Sequence, residues 1–286
     1  MTAGAAIEAH EIDASGIEAA ARALGLTDRA VCVHASLRSF GSLANGPATI
    51  IDGLLAAGCT VLAATMAPEL FGIPAPFDDR PARNGIDYEE QDMDRSPLSW
   101  PGLIDTFDSS RPEVSSWLGA FSAHVAARPD RVRCRLASGE LAAVGPLARE
   151  LIGAETEADV FGPLRALADH DGAVVLMGVG LNRMTLLHLA EVEAGRRPFV
   201  RWSRGTDGQP ARAGVGGCSE GFEQLAATLA PVEHGAKVGQ SRWRVFAARP
   251  ALDLAAAAIR LAPSITHCPE ADCIECADAI AGGPIE

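Results

Sequence analysis

The feature that most constrains this chain is an unbroken apolar run, Ala173 to Met177, followed by two closely spaced glycines. Five apolar residues without a polar break are typical of a strand buried on both faces of a sheet. Gly178 and Gly180 permit a tight turn, and Asn182 predicts the N-cap of a helix that begins near Arg183 or Met184. A buried strand that leads through a glycine turn into a helix predicts an α/β fold, in which ligands bind beyond the carboxyl ends of the strands.

Three side chains of this helix, Thr185, His188 and Glu191, are spaced three residues apart and are expected on one side of it. An imidazole at this position stands where α/β enzymes gather their ligands. Its ordinary pKa near neutrality suits it to accept a proton. The alternative is a histidine whose hydrogen bonds serve only the core. This stretch by itself leaves both interpretations open.

The length of 286 residues and the hydrophobic content of 48% suit one large α/β domain with a sizeable core. We expect that domain over residues 1–262 and a cysteine-rich tail over residues 263–286. The sequence has no basic N-terminal region and no apolar run of membrane length, which predicts a cytoplasmic protein without membrane contact. An odd number of cysteines, 7, fits reduced thiols better than a disulfide framework. The oligomeric state stays open, with a homodimer among the alternatives.

The charge and the basic residues exclude several classes of function. A formal net charge of −13 argues against nucleic acid as a partner and suits a cationic substrate. Lys237 is the only lysine and does not follow a glycine-rich loop, so the sequence excludes a P-loop nucleotide enzyme. A Schiff base on this lysine is not expected, because it stands in the polar segment HGAKVGQ.

A serine- and glycine-rich loop, Ala35 to Asn45, follows the first predicted strand, Ala30 to His34. It carries Arg38 near its middle and precedes a helix predicted from Pro47 and a second strand, Thr60 to Thr65. Backbone amides at the C-terminal end of a strand commonly bind phosphate. The alternative is an ordinary polar loop, because the GxGxxG motif is absent.

Helical and strand periodicity fails between Ala67 and Trp117, which indicates a lid or a substrate-binding loop. The acidic run DYEEQDMD lies within this segment. Its carboxylates would attract a cationic substrate, whereas the alternative is a solvated face. The candidate substrate-binding residues are Asp87, Glu89, Glu90 and Asp92.

Three separated segments share the pattern of one family. Residues 33–41, VHASLRSFG, look like V-H-S-S-L-R-x-x-G, and residues 118–146 follow M-G…R-P-x-x-x-R-S…A-A-x-G-P. Residues 176–191, LMGVGLNRMTLLHLAE, are similar to L-x-G-V-G-x-N-x-x-T-L-H-x-A-E, the most specific of the three. These motifs resemble those of the aminoglycoside 3-N-acetyltransferases. With a further V-G-x-x-x-x-R-x-F at residues 238–246, the resemblance covers nearly the whole chain before residue 262.

The resemblance implies an acetyl-CoA-dependent N-acetyltransferase that acts on an aminoglycoside or a similar cationic amine. It also implies an α/β fold with a mixed, largely parallel sheet flanked by helices, unlike the common GNAT acetyltransferase fold. His188 would be the general base, and Glu191 or Glu220 would orient its ring. The residues expected to bind acetyl-CoA are His34, Ser36, Leu37, Arg38, Ser39, Gly41, Arg133 and Thr185.

The chain departs from the family pattern in two places. Leu136-Ala137 and Glu140 stand where the family carries a His-Pro pair and a following serine. The family glutamate beyond the catalytic histidine falls in a region that here reads AGVGGCSE, where Glu220 is the nearest carboxylate. These departures leave open a second function, that of a non-catalytic family member that binds coenzyme A without turnover.

A third function is open because Gly217 to Gly221 spells GxSxG, the nucleophile elbow of α/β-hydrolases. Asp253 and His267 follow in the order that a serine hydrolase requires. However, the preceding ARAGVG is a poor buried strand, and the chain has no HGGG-type oxyanion loop. The sequence therefore favours acyl transfer over hydrolysis.

The tail carries a cluster of potential zinc ligands: His267, Cys268, Cys273 and Cys276. Three thiolates and an imidazole could complete a tetrahedral structural zinc site. Because His267 and Cys268 are adjacent, their simultaneous use is limited, and a ligand from elsewhere in the chain stays open. The alternative is a disordered end in which the cysteines bind nothing.

Overall fold

The computed structural model describes residues 11–93, 107–136, 141–156, 159–205 and 209–286. The α-helices are α1 (Ala14–Ala23), α2 (Pro47–Ala56), α3 (Pro68–Phe71), α4 (Tyr88–Met93), α5 (Gly119–Ala127), α6 (Ala148–Gly153), α7 (Gly162–Asp169), α8 (Leu186–Glu193), α9 (Ala226–Leu229), α10 (Ala248–Leu261) and α11 (Ile274–Ile280). The strands are β1 (Ala30–Ala35), β2 (Thr60–Ala64), β3 (Gly72–Ile73), β4 (Val132–Arg133), β5 (Leu141–Val144), β6 (Ala173–Met177), β7 (Phe199–Arg204), β8 (Pro210–Val215), β9 (Glu233–Val238) and β10 (Ser241–Ala247). The sequence also predicts a short helix that begins near Pro101, and this residue lies outside the described ranges, as do Ala137 and Glu140.

The larger of the two sheets has 7 strands in the order β4-β5-β2-β1-β6-β10-β9. Its central strands β2, β1 and β6 pair in parallel, and β5 and β10 extend them with antiparallel pairing. The smaller sheet has 3 antiparallel strands in the order β3-β7-β8. The expected α/β fold with a mixed sheet flanked by helices is confirmed, and its parallel pairing is confined to the three central strands.

Alternating side chains of β1 and β6 divide the core into two layers. Cys32 and Leu176 pack in the layer that contains apolar residues of α6, α7, α8 and α10. Val33 and Val175 pack in the other layer, with residues of α1, α2 and α5. Strand β6 is fully buried because β1 and β10 flank it and helices cover both faces of the sheet. Two-sided burial is the reason for its unbroken apolar sequence.

The helix after β6 begins later than the sequence predicts. Residues 181–183 form a short 3-10 turn, and α8 follows with Thr185 as its N-cap residue. Asn182 does not cap α8, because its Nδ2 donates to Glu220 Oε2 at 3.1 Å. The backbone N–H of Leu181 donates to Glu223 Oε1 at 2.5 Å. Carboxylates from a distant segment therefore shape this turn, and local residue spacing does not contain that information.

The C-terminal residues pack against the small sheet and the loop before α4. Arg83 Nε donates to the carbonyl of Gly283 at 2.7 Å, and Arg201 pairs with Glu275 at 3.0 Å. The division of the chain into a domain over 1–262 and a tail over 263–286 stays a prediction. Among the described residues, no helix combines the length and apolarity needed to cross a membrane.

Candidate active site

The carboxyl ends of β1 and β6 lie side by side, because Ala35 pairs with Met177 in parallel register. The loops that leave these strand ends border a cleft with a volume of about 730 Å³. The edge beyond adjacent parallel strands is the usual ligand site of an α/β sheet. The predicted site residues that line this cleft are His34, Ser36, Leu37, Arg38, Thr185 and His188.

His188 and Glu191, predicted on one side of a helix, are in direct contact. Nδ1 of His188 lies 3.0 Å from Oε2 of Glu191, and their side chains are only 13% and 11% exposed. The other carboxylate oxygen, Oε1, accepts a hydrogen bond from the guanidinium of Arg196. That guanidinium also donates to Thr266 Oγ1 at 2.8 Å. The carboxylate is therefore held between a cation and the imidazole, an arrangement that fixes the orientation of the ring.

The imidazole of His188 is enclosed by two residues from another part of the chain. The ring of Phe222 lies 4.9 Å from it between centroids, at an interplanar angle of 60°. Gly216 also lies against the ring, so closely that a Cβ there would come within 2.6 Å of Nδ1. Any side chain at position 216 would displace the imidazole, which explains the glycine at this position.

Glu220, the alternative partner of His188, makes a different contact. Its Oε2 accepts the hydrogen bond from Asn182 Nδ2, and Asn182 is a lining residue of the cleft. The carboxylate that contacts the imidazole is that of Glu191. Glu220 therefore binds the turn after β6, and its proposed role beside His188 stays a prediction.

Only some of the cofactor-binding residues predicted in the loop after β1 line the cleft. Ser39 Oγ lies 2.7 Å from both the carbonyl of Ser36 and Oγ of Ser241, so this hydroxyl is occupied within the protein. Gly41 has a φ of 84°, and a Cβ there would meet the side chain of Gln240. Neither Ser39 nor Gly41 lines the cleft. Their contacts are with other parts of the protein and stabilise the conformation of the loop.

His34, the residue before the last of β1, lines the cleft. Burial, reinforced by the cation of Arg183, lowers the pKa of His34 to about 4. The ring is therefore neutral at pH 7, and it can offer a hydrogen-bond donor and an acceptor without charge. Its Nε2 lies 3.6 Å from the Cys32 sulfur.

Arg133, predicted to bind the cofactor, is largely buried among carbonyl groups of the protein. Its guanidinium donates to the carbonyls of Arg111 at 2.7 Å and Glu113 at 2.9 Å, and also to that of Thr65. The ring of Phe107 covers it at 5.0 Å. Burial lowers the pKa of Arg133 to about 10, which leaves it charged at pH 7. Its two terminal nitrogens donate to three carbonyls of the protein, and Arg133 does not line the cleft beyond β1 and β6, so that its part in binding the cofactor stays a prediction.

The acidic residues predicted to bind substrate belong to α4 and its N-cap. Asp87 Oδ1 accepts from the backbone N–H groups of Glu89 at 2.9 Å and Glu90 at 3.1 Å, as an N-cap does. Asp92 forms a two-pronged pair with Arg80 at 2.8 and 2.7 Å, which neutralises its charge. Only Glu89 and Glu90 are exposed without such a structural task, and none of the four residues lines the cleft.

The serine-hydrolase arrangement is not assembled. Ser219 lines the cleft, but the strand before it, β8, pairs antiparallel with β7 in the small sheet and not within the parallel core. Asp253 is 64% exposed and lies 3.6 Å from Arg249 on the same helix. His267 Nδ1 lies 2.8 Å from the carbonyl of Cys268. The three groups thus face different neighbours and do not form a relay.

Among the lining residues of the cleft that were not predicted as site residues, Arg183 and Trp117 carry groups that can interact with a ligand. Arg183 adds a second cation to that of Arg38 on the cleft wall. Trp117 lies at the mouth, 54% exposed, and its Nε1 donates to Glu69 Oε1 at 2.7 Å. The position of Arg183 within the motif of residues 176–191 was a usable signal. Trp117 follows a stretch without periodicity, and only the fold brings it to the cleft.

The fold brings together a set of potential metal ligands that differs from the predicted set in one residue. Cys268, Cys273 and Cys276 lie together, and the fourth residue of the group is Cys218, not His267. His267 is not part of this group, and its Nδ1 lies 2.8 Å from the carbonyl of Cys268. The adjacency of His267 and Cys268 was the signal in the sequence that a fourth ligand had to come from elsewhere.

Comparison with known proteins gives a consistent result. Residues 32–260 match the family model described as aminoglycoside 3-N-acetyltransferase. Aminoglycoside N(3)-acetyltransferase III of Serratia marcescens is 29% identical over 167 residues, which cover 57% of this chain and 58% of that relative. The matched segment thus spans less than two thirds of the relative.

The solved structures extend the similarity to the fold. Aminoglycoside acetyltransferase AAC(3)-IVa, as apoenzyme, superimposes with a TM-score of 0.71 at 25% identity, over 97% of this chain and 100% of that one. A variant of it in complex with a gentamicin gives 0.72 at 24% identity, over the same 97% and 100%. AAC-IIIb, as a binary complex with CoASH, gives 0.69 at 21% identity, over 88% and 97%. By its sequence motifs, its match to the family model and its fold, this chain belongs to the aminoglycoside 3-N-acetyltransferase family.

Proposed function

We propose that this protein transfers the acetyl group of acetyl-CoA to an amino group of an aminoglycoside or a similar polycationic amine. The observation that carries the proposal is the contact of 3.0 Å between His188 and Glu191 in the cleft beyond β1 and β6. Membership of the family supports it, as do relatives of this fold whose structures are named with CoASH and with a gentamicin.

His188 acts as the general base. The neutral form of the substrate amine attacks the thioester carbonyl, and the imidazole removes the proton from the nitrogen as the carbon–nitrogen bond forms. Because Glu191 holds Nδ1, the proton is accepted at Nε2, and the carboxylate stabilises the imidazolium. When the tetrahedral intermediate collapses, the carbon–sulfur bond breaks and the imidazolium returns the proton to the coenzyme A thiolate.

The loop after β1 binds the anionic and pantetheine parts of acetyl-CoA. Arg38 and Arg183 line the same cleft and supply positive charge for phosphates. The hydroxyl of Ser36 and the neutral ring of His34 offer hydrogen bonds without a competing charge, and Leu37 lines the cleft beside them. Thr185, at the start of α8, lines the cleft next to them.

The polycationic substrate is drawn to the protein by its charge. Glu89 and Glu90 are exposed near the start of α4, and the net charge of the chain is −13. Since neither residue lines the cleft, we assign them to long-range attraction and not to direct contact. All 7 cysteines are free thiols, which fits a reducing compartment, and we therefore place the protein in the cytoplasm.

A thiol-release assay over a panel of aminoglycosides and simpler amines tests this function. We expect coenzyme A to be released only in the presence of an amine acceptor, and the acceptor to gain the mass of one acetyl group. Binding of coenzyme A without release from any amine would favour the non-catalytic alternative. Covalent labelling of Ser219 by a fluorophosphonate probe would favour the hydrolase instead.

A further inference from the structure

We propose that this chain binds one structural zinc ion through four thiolates, those of Cys218, Cys268, Cys273 and Cys276. Their four sulfur atoms all lie within 4.8 Å of one another. With Zn–S bonds of about 2.3 Å, a tetrahedral site sets sulfur–sulfur separations of about 3.8 Å. Separations of at most 4.8 Å are close to this value, so that a small contraction would bring the four sulfurs to zinc-binding distance.

The four ligands come from two segments that are far apart in the sequence. Cys273 is the N-cap residue of α11, and Cys276 lies in its first turn. The backbone N–H of Cys268 donates to the sulfur of Cys276 at 3.4 Å. An N–H donor directed at sulfur is suited to a thiolate, whose charge it stabilises. Cys218 reaches this group from the loop that follows β8.

The two segments are packed closely enough for a shared metal site. Gln224 Nε2 donates to the carbonyl of His267 at 2.5 Å. A Cβ on Gly221 would collide with the carbonyl oxygens of Thr266 and His267, so only glycine allows this approach. The chain just after Cys218 thus lies directly against the chain just before Cys268.

The zinc would fasten the wall of the cleft to the C-terminal segment. Gly216 and Gly217 line the cleft, Gly216 lies against the imidazole of His188, and Cys218 follows at once. On the other segment, Thr266 binds the Arg196 guanidinium, which holds Glu191. A site with four cysteine ligands has no open position, so the metal has a structural task and takes no part in proton transfer.

Binding is balanced by proton release, because each neutral thiol loses its proton to the solvent as its sulfur binds Zn²⁺. Four cysteinates and one Zn²⁺ leave a net charge of −2 on the site. No oxidant or reductant is needed. Oxidation of the same cysteines to disulfides is the competing outcome and excludes zinc.

The test is metal content of the full-length protein, purified without chelator. We expect about one zinc equivalent by elemental analysis. Cys218→Ser should lose most of it, whereas His267→Ala should keep it. The control Cys59→Ser should also keep it, because Cys59 lies outside the cluster and its Sγ donates to the Leu26 carbonyl at 3.1 Å, as a serine hydroxyl could.

Cobalt substitution keeps the proposal testable even where Cys218→Ser fails to fold. The wild-type chain loaded with Co²⁺ should show the absorption of a tetrahedral site with sulfur ligands only. A mixed sulfur–nitrogen spectrum would overturn the ligand set. Protein that holds no metal, that contains disulfides among these cysteines, or that keeps its zinc in Cys218→Ser would overturn the proposal.

Discussion

Replacement of Glu191 by glutamine removes one negative charge from beside His188 and leaves the shape of the side chain almost unchanged. In the wild type, Oε2 lies 3.0 Å from Nδ1 of the imidazole, and Oε1 accepts from Arg196. The carboxylate stabilises the imidazolium that forms during proton transfer and fixes the tautomer with its proton on Nδ1. The glutamine amide carries no charge and can turn an N–H toward Nδ1, which favours the wrong tautomer.

The structure sets the size of this effect. At a separation of 3.0 Å and an effective dielectric constant of about 20, the carboxylate attracts an imidazolium by about 5.5 kcal/mol. The cation of Arg196 repels the imidazolium and offsets part of this attraction. We expect a net loss of about 3–4 kcal/mol in transition-state stabilisation, or roughly 100- to 1000-fold in kcat. The Arg196 side chain, 7% exposed, also loses its counter-charge, so Glu191→Gln should unfold at a lower temperature.

The assay is thiol release at saturating acetyl-CoA, at a temperature where circular dichroism shows both proteins folded. Glu193→Gln is the matched control, because Glu193 is on the same helix and its side chain, 36% exposed, pairs with Arg165 at the surface. A surface pair contributes about 0–1 kcal/mol, so this control should keep kcat within about twofold. A folded Glu191→Gln enzyme as active as Glu193→Gln would refute the role given to the carboxylate.

Three other predictions concern the cleft and its surroundings. Because the pKa of His34 is lowered from 6.5 to about 4 in the folded protein, the unfolded state binds a proton at a higher pH than the folded state does. Stability should thus be full above pH 6.5 and fall by about 3 kcal/mol toward pH 4, less so in His34→Gln, as urea unfolding over pH will show. Arg38→Ala should weaken coenzyme A binding roughly tenfold by calorimetry, and an unchanged affinity would contradict the first loop as the binding site. Arg133→Met should lower the unfolding temperature instead. The double variant Glu89→Gln/Glu90→Gln should raise KM for cationic substrates a few-fold at low salt and hardly at all at high salt; a salt-independent change contradicts long-range attraction.

The fold was largely predictable because its signals are local. The sequence of β6 is apolar throughout because strands and helices cover it on every side. Glycine turns between apolar runs and helical periodicity predicted the order of strands and helices along the chain. The contact between His188 and Glu191 follows from helical spacing alone. Helix starts were less predictable, because Glu223 reaches in from another segment to bind the turn before α8.

The site was less predictable wherever a side chain meets a partner that is distant in sequence. The sequence predicts Arg133 as a cofactor ligand, but in the fold its guanidinium donates to the carbonyls of Thr65 and Glu113. Asp92 is likewise predicted as a substrate-binding carboxylate, but in the fold the cation of Arg80 neutralises its charge. Cys218 stands fifty residues before the other cysteines of its cluster, and no spacing rule connects it to them.

The central claim, that His188 is the general base, is tested most directly by kcat and coenzyme A affinity measured side by side in His188→Ala. Loss of a general base acts on the chemical step, so kcat should fall by roughly a hundredfold or more. The affinity for coenzyme A by calorimetry should stay within about twofold, because the loop after β1 that is proposed to bind it is untouched. A folded His188→Ala protein that acetylates its amine at the wild-type rate would contradict the mechanism.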